Sequence, residues 1–424
     1  MRVLLISANT ERMNMRTLPL GLSCVAEATE RAGHEVAMLD LMAQQDFREA
    51  VGKAIGDVAP EVIGISVRNI DDQNRASPSF LLARAREVVE ACRAACQACL
   101  VVGGAGYSIF PESALLYLGA DLGIWGEGEE AFPELLGRLE RGSDLAGMAG
   151  LVLPGKGLPG ERRFASDLEV FALPALHWFS AGDPKDGELW IPIQSRRGCA
   201  LDCSYCSTAR IEGRLSRQRS ASSAVEFLER CARAGFERFF FVDNNFNLPL
   251  SYAHELCRLI LARGLKVSWR CIFNPLQGDP GLIEEMAQAG CGEVSLGFES
   301  GCARMLGQLN KRFSLQQVRE SAEALARCGI RRNGFLLLGG PGETRESVEE
   351  SLAFADSLSL EMVRVTSGIR IYPQTRLAAT ALAEGVIGPG DDLLQPRFYL
   401  APGLEPWLKE TLGRWKGFKP RWVF

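Results

Sequence analysis

Two hydrophobic patterns alternate along the first 150 residues, namely short apolar runs typical of buried strands and amphipathic stretches typical of helices. The apolar runs predict strands at Val3–Ser7, Val36–Leu39, Val62–Val67, Leu100–Gly103 and Leu122–Trp125. The amphipathic stretches predict helices near Gly21–Ala32, Asp46–Val58, Phe80–Cys96, Pro111–Leu118 and Glu129–Arg141. This alternation predicts a parallel α/β sheet with helices on both faces and ligands at the carboxyl ends of its strands.

The same alternation resumes at Leu189 and predicts a second α/β domain. Its strands are expected at Leu189–Gln194, Arg238–Val242, Lys266–Ile272, Glu293–Phe298, Gly334–Leu338 and Met362–Tyr372. Its helices are expected near Ser222–Ala234, Tyr252–Gly264, Pro280–Gly290, Leu315–Gly329 and Arg345–Ser357. Six units are fewer than the eight of a closed barrel, so the pattern predicts a partial (β/α)6 TIM-type barrel with its active site at the carboxyl ends of the strands.

Composition shifts divide the chain into four parts. A stretch rich in Gly, Pro and charged residues predicts a linker at 151–188 between domains at 1–150 and 189–384. Residues 385–424 lack a regular pattern but contain many aromatic side chains, at Phe398, Tyr399, Trp407, Trp415, Phe418, Trp422 and Phe424. We expect this tail to form a cap that closes the barrel, and its aromatic rings are also candidates for lining a substrate pocket.

Overall composition is that of a globular protein long enough for two cores, with 424 residues, 47% hydrophobic and 23% charged. A net charge of −5 gives no indication of nucleic-acid binding, although the Arg196-Arg197 pair could meet an anionic substrate. No apolar segment reaches the ~20 residues of a membrane-spanning helix. Thirteen cysteines without an export signal argue against a disulfide framework and predict a cytoplasmic protein.

The spacing CxxxCxxC occurs twice, in two different contexts. Cys92, Cys96 and Cys99 continue a helical apolar stripe into a strand, so we expect them to be small buried core residues. Cys199, Cys203 and Cys206 follow a predicted strand and belong to no such stripe. Three thiolates in one loop suit an iron–sulfur cubane, which has four irons, and would leave one iron open.

This second triplet, with Tyr205 before its last cysteine, resembles the radical S-adenosylmethionine (SAM) superfamily. The resemblance implies a 4Fe-4S cluster on Cys199, Cys203 and Cys206, whose open iron binds SAM and cleaves it to a 5′-deoxyadenosyl radical. It also implies an external electron donor such as flavodoxin or ferredoxin.

The other strand ends extend this resemblance. Gly297-Phe-Glu-Ser300 is similar to the family's Gly-Ile-Glu-Ser segment, and Lys311 occupies a recurrent basic position to which we assign no role. The resemblance implies SAM contacts from side chains and backbone at the strand ends: Tyr205, Asp243, Asn244, Asn245, Arg270, Glu299, Ser300, Gly340 and Arg370. Asp-Asn-Asn is also ordinary turn sequence, so its second interpretation stays open.

The first domain resembles the cobalamin-binding, Rossmann-like domain of cobalamin-dependent radical SAM enzymes. Its first loop contains no glycine, which argues against a dinucleotide. The resemblance rests on three segments and implies that cobalamin contacts Ser66, Arg68, Asn69, Gly103, Gly104, Gly106, Tyr107, Glu127 and Gly128. The family's DxHxxG motif is absent, and none of His34, His177 and His254 is placed to ligate cobalt. We therefore predict cobalamin without a histidine lower ligand, with Arg68 or Asn69 against its lower face.

These features predict a cobalamin-dependent radical SAM enzyme. The resemblance implies a methyltransferase that uses SAM and methylcobalamin to methylate an unactivated carbon, or a phosphorus, of a small molecule. The alternative within the family is a cyclase, ring-contraction or rearrangement enzyme without net methyl transfer. A cluster-bearing electron carrier prefers four protein ligands, and a zinc module lacks a fourth Cys or His nearby, so both fit less well.

Overall fold

A computed structural model describes residues 1–11, 16–158, 160, 162, 164–179, 186 and 188–423 of the chain. The chain divides into two compact units. The first contains Met1–Asp72, Ser79–Trp190 and Thr208–Arg217, and the second contains Gln73–Pro78, Ile191–Ser207 and Gln218–Phe424. Two short segments, 73–78 and 208–217, therefore belong to the unit other than that of their chain neighbours.

The first unit is a sheet flanked by helices. Its strands are β1 (Arg2–Ser7), β2 (Arg16–Thr17), β3 (Glu35–Asp40), β4 (Val62–Ser66), β5 (Cys99–Gly103), β6 (Leu122–Ile124) and β7 (Leu151–Val152). Its first five helices are α1 (Leu20–Arg31), α2 (Phe47–Val58), α3 (Leu82–Ala95), α4 (Pro111–Leu118) and α5 (Gly128–Glu140). The sheet order is β3-β1-β4-β5-β6-β7, with parallel pairing except between β6 and β7. This confirms the predicted parallel α/β sheet.

Burial explains why these segments become strands. Val3–Ile6 of β1 and Leu100–Val102 of β5 are almost fully buried, as expected for strands covered on both faces. Leu135 and Leu136 of α5 pack on one side of the sheet, within a cluster that also includes Val3. The antiparallel strand β7 lies within the segment that we expected to be a linker.

The second unit contains a sheet of parallel strands. Its strands are β8 (Leu189–Ile193), β9 (Arg196–Arg197), β10 (Arg217–Gln218), β11 (Arg238–Phe241), β12 (Ser268–Phe273), β13 (Cys291–Glu299), β14 (Arg331–Leu338), β15 (Met362–Ser367), β16 (Ile369–Arg370), β17 (Phe398–Tyr399) and β18 (Trp422–Val423). The order is β18-β15-β14-β13-β12-β11-β8, and β2 pairs with the first two residues of β8. Six of these strands, β8, β11, β12, β13, β14 and β15, follow one another in the chain and in the sheet, and they form the predicted partial barrel.

Helices connect these strands and cover one face of the sheet. They are α7 (Ala221–Arg233), α8 (Leu250–Ala262), α9 (Pro280–Gln288), α10 (Ala303–Gln308), α11 (Leu315–Arg327), α12 (Arg345–Ser357), α13 (Arg376–Ala383) and α14 (Trp407–Phe418), whereas α6 (Thr208–Glu212) lies in the segment 208–217 of the first unit. Ser314 and Thr344 cap α11 and α12 through capping boxes, which fixes where these helices begin. Within the described ranges, none of the helices combines the length and the apolar character that a bilayer-crossing segment needs.

Side chains alternate between the helix-covered face and the inner face of this sheet. Trp269 Nε1 donates to the Ala289 carbonyl, Arg332 Nη1 donates to the Ala322 carbonyl, and Phe298 packs edge-on against Phe354, so these residues point toward the helices. The residues between them on β12, β13 and β14 therefore point to the inner face. Because paired residues share a face, the strand register extends the inner face to Arg364 and Thr366 of β15, which pair with Phe335 and Leu337.

Two predictions for the end of the chain were wrong. The sixth barrel strand ends at Ser367 instead of Tyr372, because Gly368 has a φ of +78° and β16 then pairs antiparallel with β17. The tail was expected to lack regular structure, yet it contains α14, with Leu408 and Leu412 buried, and β18, which extends the sheet beside β15. Phe424 lies outside the described residues.

Candidate active site

The cysteine loop lies at the carboxyl end of β8, the edge at which barrels of this kind carry their active sites. Two backbone hydrogen bonds from neighbouring segments hold Ser204, in the middle of this loop, in place. Ser204 N donates to the Leu309 carbonyl at 3.0 Å, and the Ser204 carbonyl accepts from Leu377 N at 2.9 Å. Cys199 and Cys203 are half-buried and Cys206 is exposed, so the thiols lie at the surface of the unit.

Lys311 connects this loop to the end of β13. Its Nζ lies 3.4 Å from Glu299 Oε1, donates to the Gly297 carbonyl at 3.1 Å, and lies 5.5 Å from the centroid of the Tyr205 ring. Burial lowers the pKa of Lys311, but the charges of Glu299 and Cys203 more than offset it, so the pKa is raised. The ammonium group is therefore a stable positive charge beside the cysteine loop.

Glu299 has an uncommon backbone conformation. Its φ is +66°, which is unfavourable for a residue with a side chain, and the pairing of β13 with β14 shifts between Leu296 and Glu299. Bulges of this kind redirect a side chain, and strained residues are frequent at functional sites. The bulge places the carboxylate of Glu299 against Lys311 and Tyr205. Burial and the nearby carboxylate raise the pKa of Tyr205 well above its usual value.

Asp243, at the end of β11, is enclosed within the protein. Its carboxylate accepts from Ser195 N at 2.8 Å, Arg196 N at 3.0 Å and Arg196 Nη2 at 3.2 Å. The side chains of Asp243 and Arg196 are 1% and 3% exposed. This buried ion pair holds the chain just before the cysteine loop, so Arg196, which we expected to be available to an anionic substrate, is buried beneath it.

The two asparagines after Asp243 contact the cysteine loop directly. Asn245 Nδ2 lies 3.7 Å from Cys199 Sγ, and Asn244 Nδ2 lies 3.4 Å from the Gly198 carbonyl. Asn245 Oδ1 accepts from Asn274 Nδ2 at 2.9 Å, which fixes the orientation of the Asn245 amide. The predicted juxtaposition of the ends of β8 and β11 is thus present.

The remaining predicted SAM contacts lie at the same edge or on the inner face. Arg270 lies on the inner face with Nη1 3.3 Å from Glu293 Oε1. Ser300 is buried, with its hydroxyl 2.9 Å from that of Ser351. Arg370 is buried, and its guanidinium donates to the carbonyls of Ile371, Leu393 and Leu394.

Gly340 follows β14 in a tight loop closed by Glu343, a residue that we did not single out from the sequence. The Glu343 carboxylate accepts from Gly339 N and from Gly340 N, the latter at 3.0 Å. Burial raises the pKa of Glu343 to about 7, opposed by these two N–H groups. The sequence contained a signal for this contact, because Glu343 directly follows the Gly-Gly-Pro-Gly run. A carboxylate three or four residues after a backbone N–H can accept from it and close the turn.

The donor set of the loop fits an iron–sulfur cubane. In the part of the chain that the structure describes, no three His, Cys, Asp or Glu side chains are placed to hold a single metal ion. A cubane sets a different requirement, since each cysteine ligates its own iron and the sulfur atoms stay apart. The thiols nevertheless influence one another. Burial raises the pKa of Cys203, Lys311 opposes it, and Cys206 and Cys199 add to it.

Of the first cysteine triplet, Cys92 is a buried core residue as predicted, whereas Cys96 and Cys99 are only half-buried. Cys92 is fully buried on the apolar side of α3, with Ala85, Val88 and Val89. Burial raises the pKa of Cys92 to about 12 and that of Cys99 to about 11. Thiols that remain protonated at neutral pH are poor metal ligands and nucleophiles.

A cleft opens in the first unit at the carboxyl ends of β1 and β4. Arg68 and Asn69 line it together with Asn9, Thr10, Glu11 and Arg84. Burial lowers the pKa of Arg68, and the nearby Asp40 opposes this. Polar side chains at this edge fit the amide-rich periphery of a corrin.

The other residues predicted to contact cobalamin also have partners within the unit. A Cβ at Gly104 would lie 2.6 Å from the Val67 carbonyl, so this glycine permits two loops to pack. Tyr107 is fully buried against Gly123. Glu127 accepts from Ala165 N at 2.9 Å and Arg217 Nη1 at 2.7 Å. The remaining predicted contacts lie at the edge formed by the carboxyl ends of the strands. Ser66 and Gly103 end β4 and β5, Gly106 follows β5, and Gly128 begins α5.

None of the three histidines directly follows a strand, and His34 lies at the amino ends of β1 and β3. His34 is buried, with Nδ1 3.3 Å from the Met1 nitrogen. His177 lies within 4.0 Å of Glu30, and His254 on α8 binds Glu285 at 2.7 Å.

Family comparisons agree with both units. Residues 6–136 match the B12 binding domain, and residues 193–355 match the Radical SAM superfamily. An uncharacterized methyltransferase of Pyrococcus horikoshii is 26% identical over 398 residues, which cover 91% of this chain and 84% of that protein. The tryptophan 2-C-methyltransferase of Streptomyces laurentii is 24% identical, covering 89% of this chain and 74% of that protein.

Solved structures show the same fold. The methyltransferase TsrM from Kitasatospora setae, with cobalamin and a [4Fe-4S] cluster bound, matches 100% of this chain and 92% of its own, with a TM-score of 0.87 and 22% identity. The cobalamin-dependent enzyme OxsB, with aqua-cobalamin bound, matches 98% of this chain and 67% of its own, with a TM-score of 0.80 and 17% identity. With a B12 binding domain followed by a radical SAM domain, the chain belongs to the cobalamin-dependent radical SAM enzymes.

Proposed function

We propose that the protein is a methyltransferase that acts on an unactivated carbon, or a phosphorus, of a small-molecule substrate. The observation that carries this proposal is the presence of both domains in one chain, together with methyltransferases among the relatives that match most of its length. One of them, from Streptomyces wedmorensis, is a cytidylyl-2-hydroxyethylphosphonate methyltransferase, 26% identical and covering 80% of this chain.

Cys199, Cys203 and Cys206 would hold a 4Fe-4S cluster, with SAM on the iron that no cysteine ligates. The cluster would supply the electron that cleaves SAM, delivered by an external donor such as flavodoxin or ferredoxin. Lys311 keeps a positive charge beside the loop and so favours its thiolates. The buried pair of Asp243 and Arg196 fixes the chain that leads into the loop.

The proposed SAM site extends along the strand ends from the cysteine loop. Tyr205 belongs to the loop, Asn244 and Asn245 contact it, and Glu299 approaches it from β13. Gly340 offers backbone without a side chain at the end of β14. Asp243, Ser300 and Arg370 are buried with protein partners, and we assign them to the support of this site. Arg270 lies deeper on the inner face.

Cobalamin, when bound, would supply the carrier that passes a methyl group to the substrate. We place it at the carboxyl edge of the first unit, with Arg68 and Asn69 in the cleft described above. None of the three histidines lies at that edge. We therefore propose that cobalt has no histidine lower ligand, which favours low coordination and transfer of a methyl group.

A cyclase or rearrangement activity is the second candidate. The anaerobic magnesium-protoporphyrin IX monomethyl ester cyclase of Rubrivivax gelatinosus is 25% identical, but it matches only 41% of this chain.

The products of SAM distinguish the two functions. Full-length protein, reconstituted with cluster and cobalamin, is incubated with SAM and a low-potential reductant under anaerobic conditions. A methyltransferase yields S-adenosylhomocysteine, at least in proportion to its cobalamin. If 5′-deoxyadenosine is formed and S-adenosylhomocysteine is not, the methyltransferase proposal fails and the cyclase class gains.

A further inference from the structure

Arginines of the barrel differ in what balances their charge. Arg270 lies on the inner face with its guanidinium 3.3 Å from Glu293, and Arg332 lies on the helix-covered face 2.8 Å from Glu361. Arg364 of β15 is half-buried, and its Nε is buried without a hydrogen-bond partner among the described residues. Burial lowers the pKa of Arg364, with no carboxylate acting against it.

The surroundings of Arg364 are defined by the strand register. It pairs with Phe335 of β14 and shares the inner face with it. Thr366 lies two residues further along the same strand, and therefore about 7 Å away on the same face. Asn333 lies two residues before Phe335, diagonal to Arg364, and pairs with Ser295 of β13. Arg364 thus lies between Phe335 and Val423, with which it pairs, while Thr366 and Asn333 bring a hydroxyl and an amide to the same face nearby.

A partly buried guanidinium with an unsatisfied donor destabilises the protein, because the donor has given up water without gaining a partner. Such groups are rare in folded proteins, and a ligand that completes the hydrogen bonds is one explanation for their presence. Because a guanidinium has only donors and a fixed positive charge, an anion would satisfy both its hydrogen bonds and its charge.

The position along the strand suits a substrate. Arg364 precedes Ser367, the last residue of β15, by three residues, or about 10 Å. The cysteine loop lies at the carboxyl ends of the strands. A molecule of modest size with its acidic group on Arg364 would reach that edge with its other end.

We propose that Arg364, with Thr366 and Asn333 beside it on the inner face, binds the carboxylate, phosphate or phosphonate group of the substrate. This inference rests on the proposed function and adds to it the substrate class, an anionic small molecule anchored within the barrel. The alternative ligand for Arg364 is SAM, which also carries a carboxylate.

Equilibrium binding to the full-length reconstituted protein tests the assignment without turnover. The probes are 3-phenylpropionate, phenylphosphonate and the neutral 3-phenylpropionamide, measured by calorimetry. We expect at least one of the two anions to bind about tenfold more tightly than the amide, and Arg364→Gln to remove this preference. The tighter of the two anions identifies the acid group. Equal affinity of wild-type protein for all three probes, or an anion preference that survives Arg364→Gln, would overturn the proposal.

Two further variants separate charge loss from misfolding. Arg364→Lys keeps the charge and is expected to retain most of the anion preference. Arg331→Gln removes an arginine of the neighbouring strand whose side chain is 67% exposed, and it should bind all probes as wild type does. Loss of the preference in Arg331→Gln to the same degree would contradict a role specific to Arg364.

SAM binding to the same variants decides between the two occupants. We expect Arg364→Gln to bind SAM with unchanged affinity, and a loss of about tenfold would assign Arg364 to SAM and overturn the substrate class. Failure of S-adenosylhomocysteine formation in the wild-type protein would sink the methyltransferase proposal but leave these binding results interpretable.

Discussion

Lys311 Nζ lies 3.4 Å from Glu299 Oε1, and this contact joins the loop between α10 and α11 to the strained end of β13. The two side chains are 10% and 15% exposed, so their charges depend on each other more than on solvent. Because Tyr205 of the cysteine loop packs beside both, the pair connects the barrel sheet to the proposed cluster site.

Removing the charge of Lys311 should destabilise the fold. In Lys311→Met the Glu299 carboxylate loses its partner, and loss of one member of a largely buried pair costs about 3–5 kcal/mol. The free energy of unfolding, from urea denaturation followed by circular dichroism, measures this. Arg233→Met is the matched control, since Arg233 is 78% exposed and its pair with Glu229 should contribute less than about 1 kcal/mol. Equal losses of unfolding free energy in the two variants would mean that the Lys311–Glu299 pair stabilises the fold no more than an exposed ion pair does.

Asp243→Asn should lower the stability of the fold more than it weakens SAM binding. The substitution leaves the buried Arg196 guanidinium without its carboxylate, at a cost of about 3–5 kcal/mol in unfolding free energy. We expect the SAM dissociation constant of the folded fraction to change little, because protein groups occupy both carboxylate oxygens. A variant of normal stability that no longer binds SAM would show that Asp243 is a direct SAM contact.

Glu343 should make stability fall with rising pH. Its pKa is raised to about 7 in the folded protein, from a usual value near 4.5. The folded state therefore holds the proton more tightly than the unfolded state, and stability falls by about 3 kcal/mol as pH rises from 4.5 to 7. In Glu343→Gln this contribution is absent, so the variant should gain stability relative to wild type across that window. Parallel pH profiles of the two unfolding free energies would rule out the raised pKa.

The two cysteine triplets should differ in iron binding. Cys203→Ala removes a proposed ligand, and we expect anaerobically reconstituted protein to lose most of its iron and the absorption of the cluster. Cys92→Ala, which removes a buried thiol of the same CxxxCxxC spacing, should keep both. The measurement is iron and sulfide per chain. Iron loss in Cys92→Ala with retention in Cys203→Ala would reverse the assignment.

Sequence patterns predicted the order of strands and helices well, because the buried strands and amphipathic helices have strong periodicity. They also placed Cys199 and Asn245 at adjacent strand ends, which follows from parallel topology alone. They missed α14, whose apolar positions Leu408 and Leu412 are weakened by Gly413 and Gly417.

Other features depend on tertiary contacts that no local pattern reports. Arg196 gives no sign in the sequence that it pairs with Asp243, 47 residues later. The segment 73–78 follows β4 in the first unit yet belongs to the second, where Arg75 pairs with Glu405 at 2.9 Å. The positive φ of Glu299 could not be predicted from the sequence, because residues with a side chain rarely adopt this backbone conformation.

The central claim is that three cysteines hold a cubane with one iron left for SAM, and electron paramagnetic resonance of the reduced cluster tests it directly. Addition of SAM to the reduced, reconstituted protein should change the cluster signal in wild type and in Cys92→Ala. A cubane signal that saturating SAM leaves unaltered, or the absence of a cubane from well-folded protein, would contradict the account.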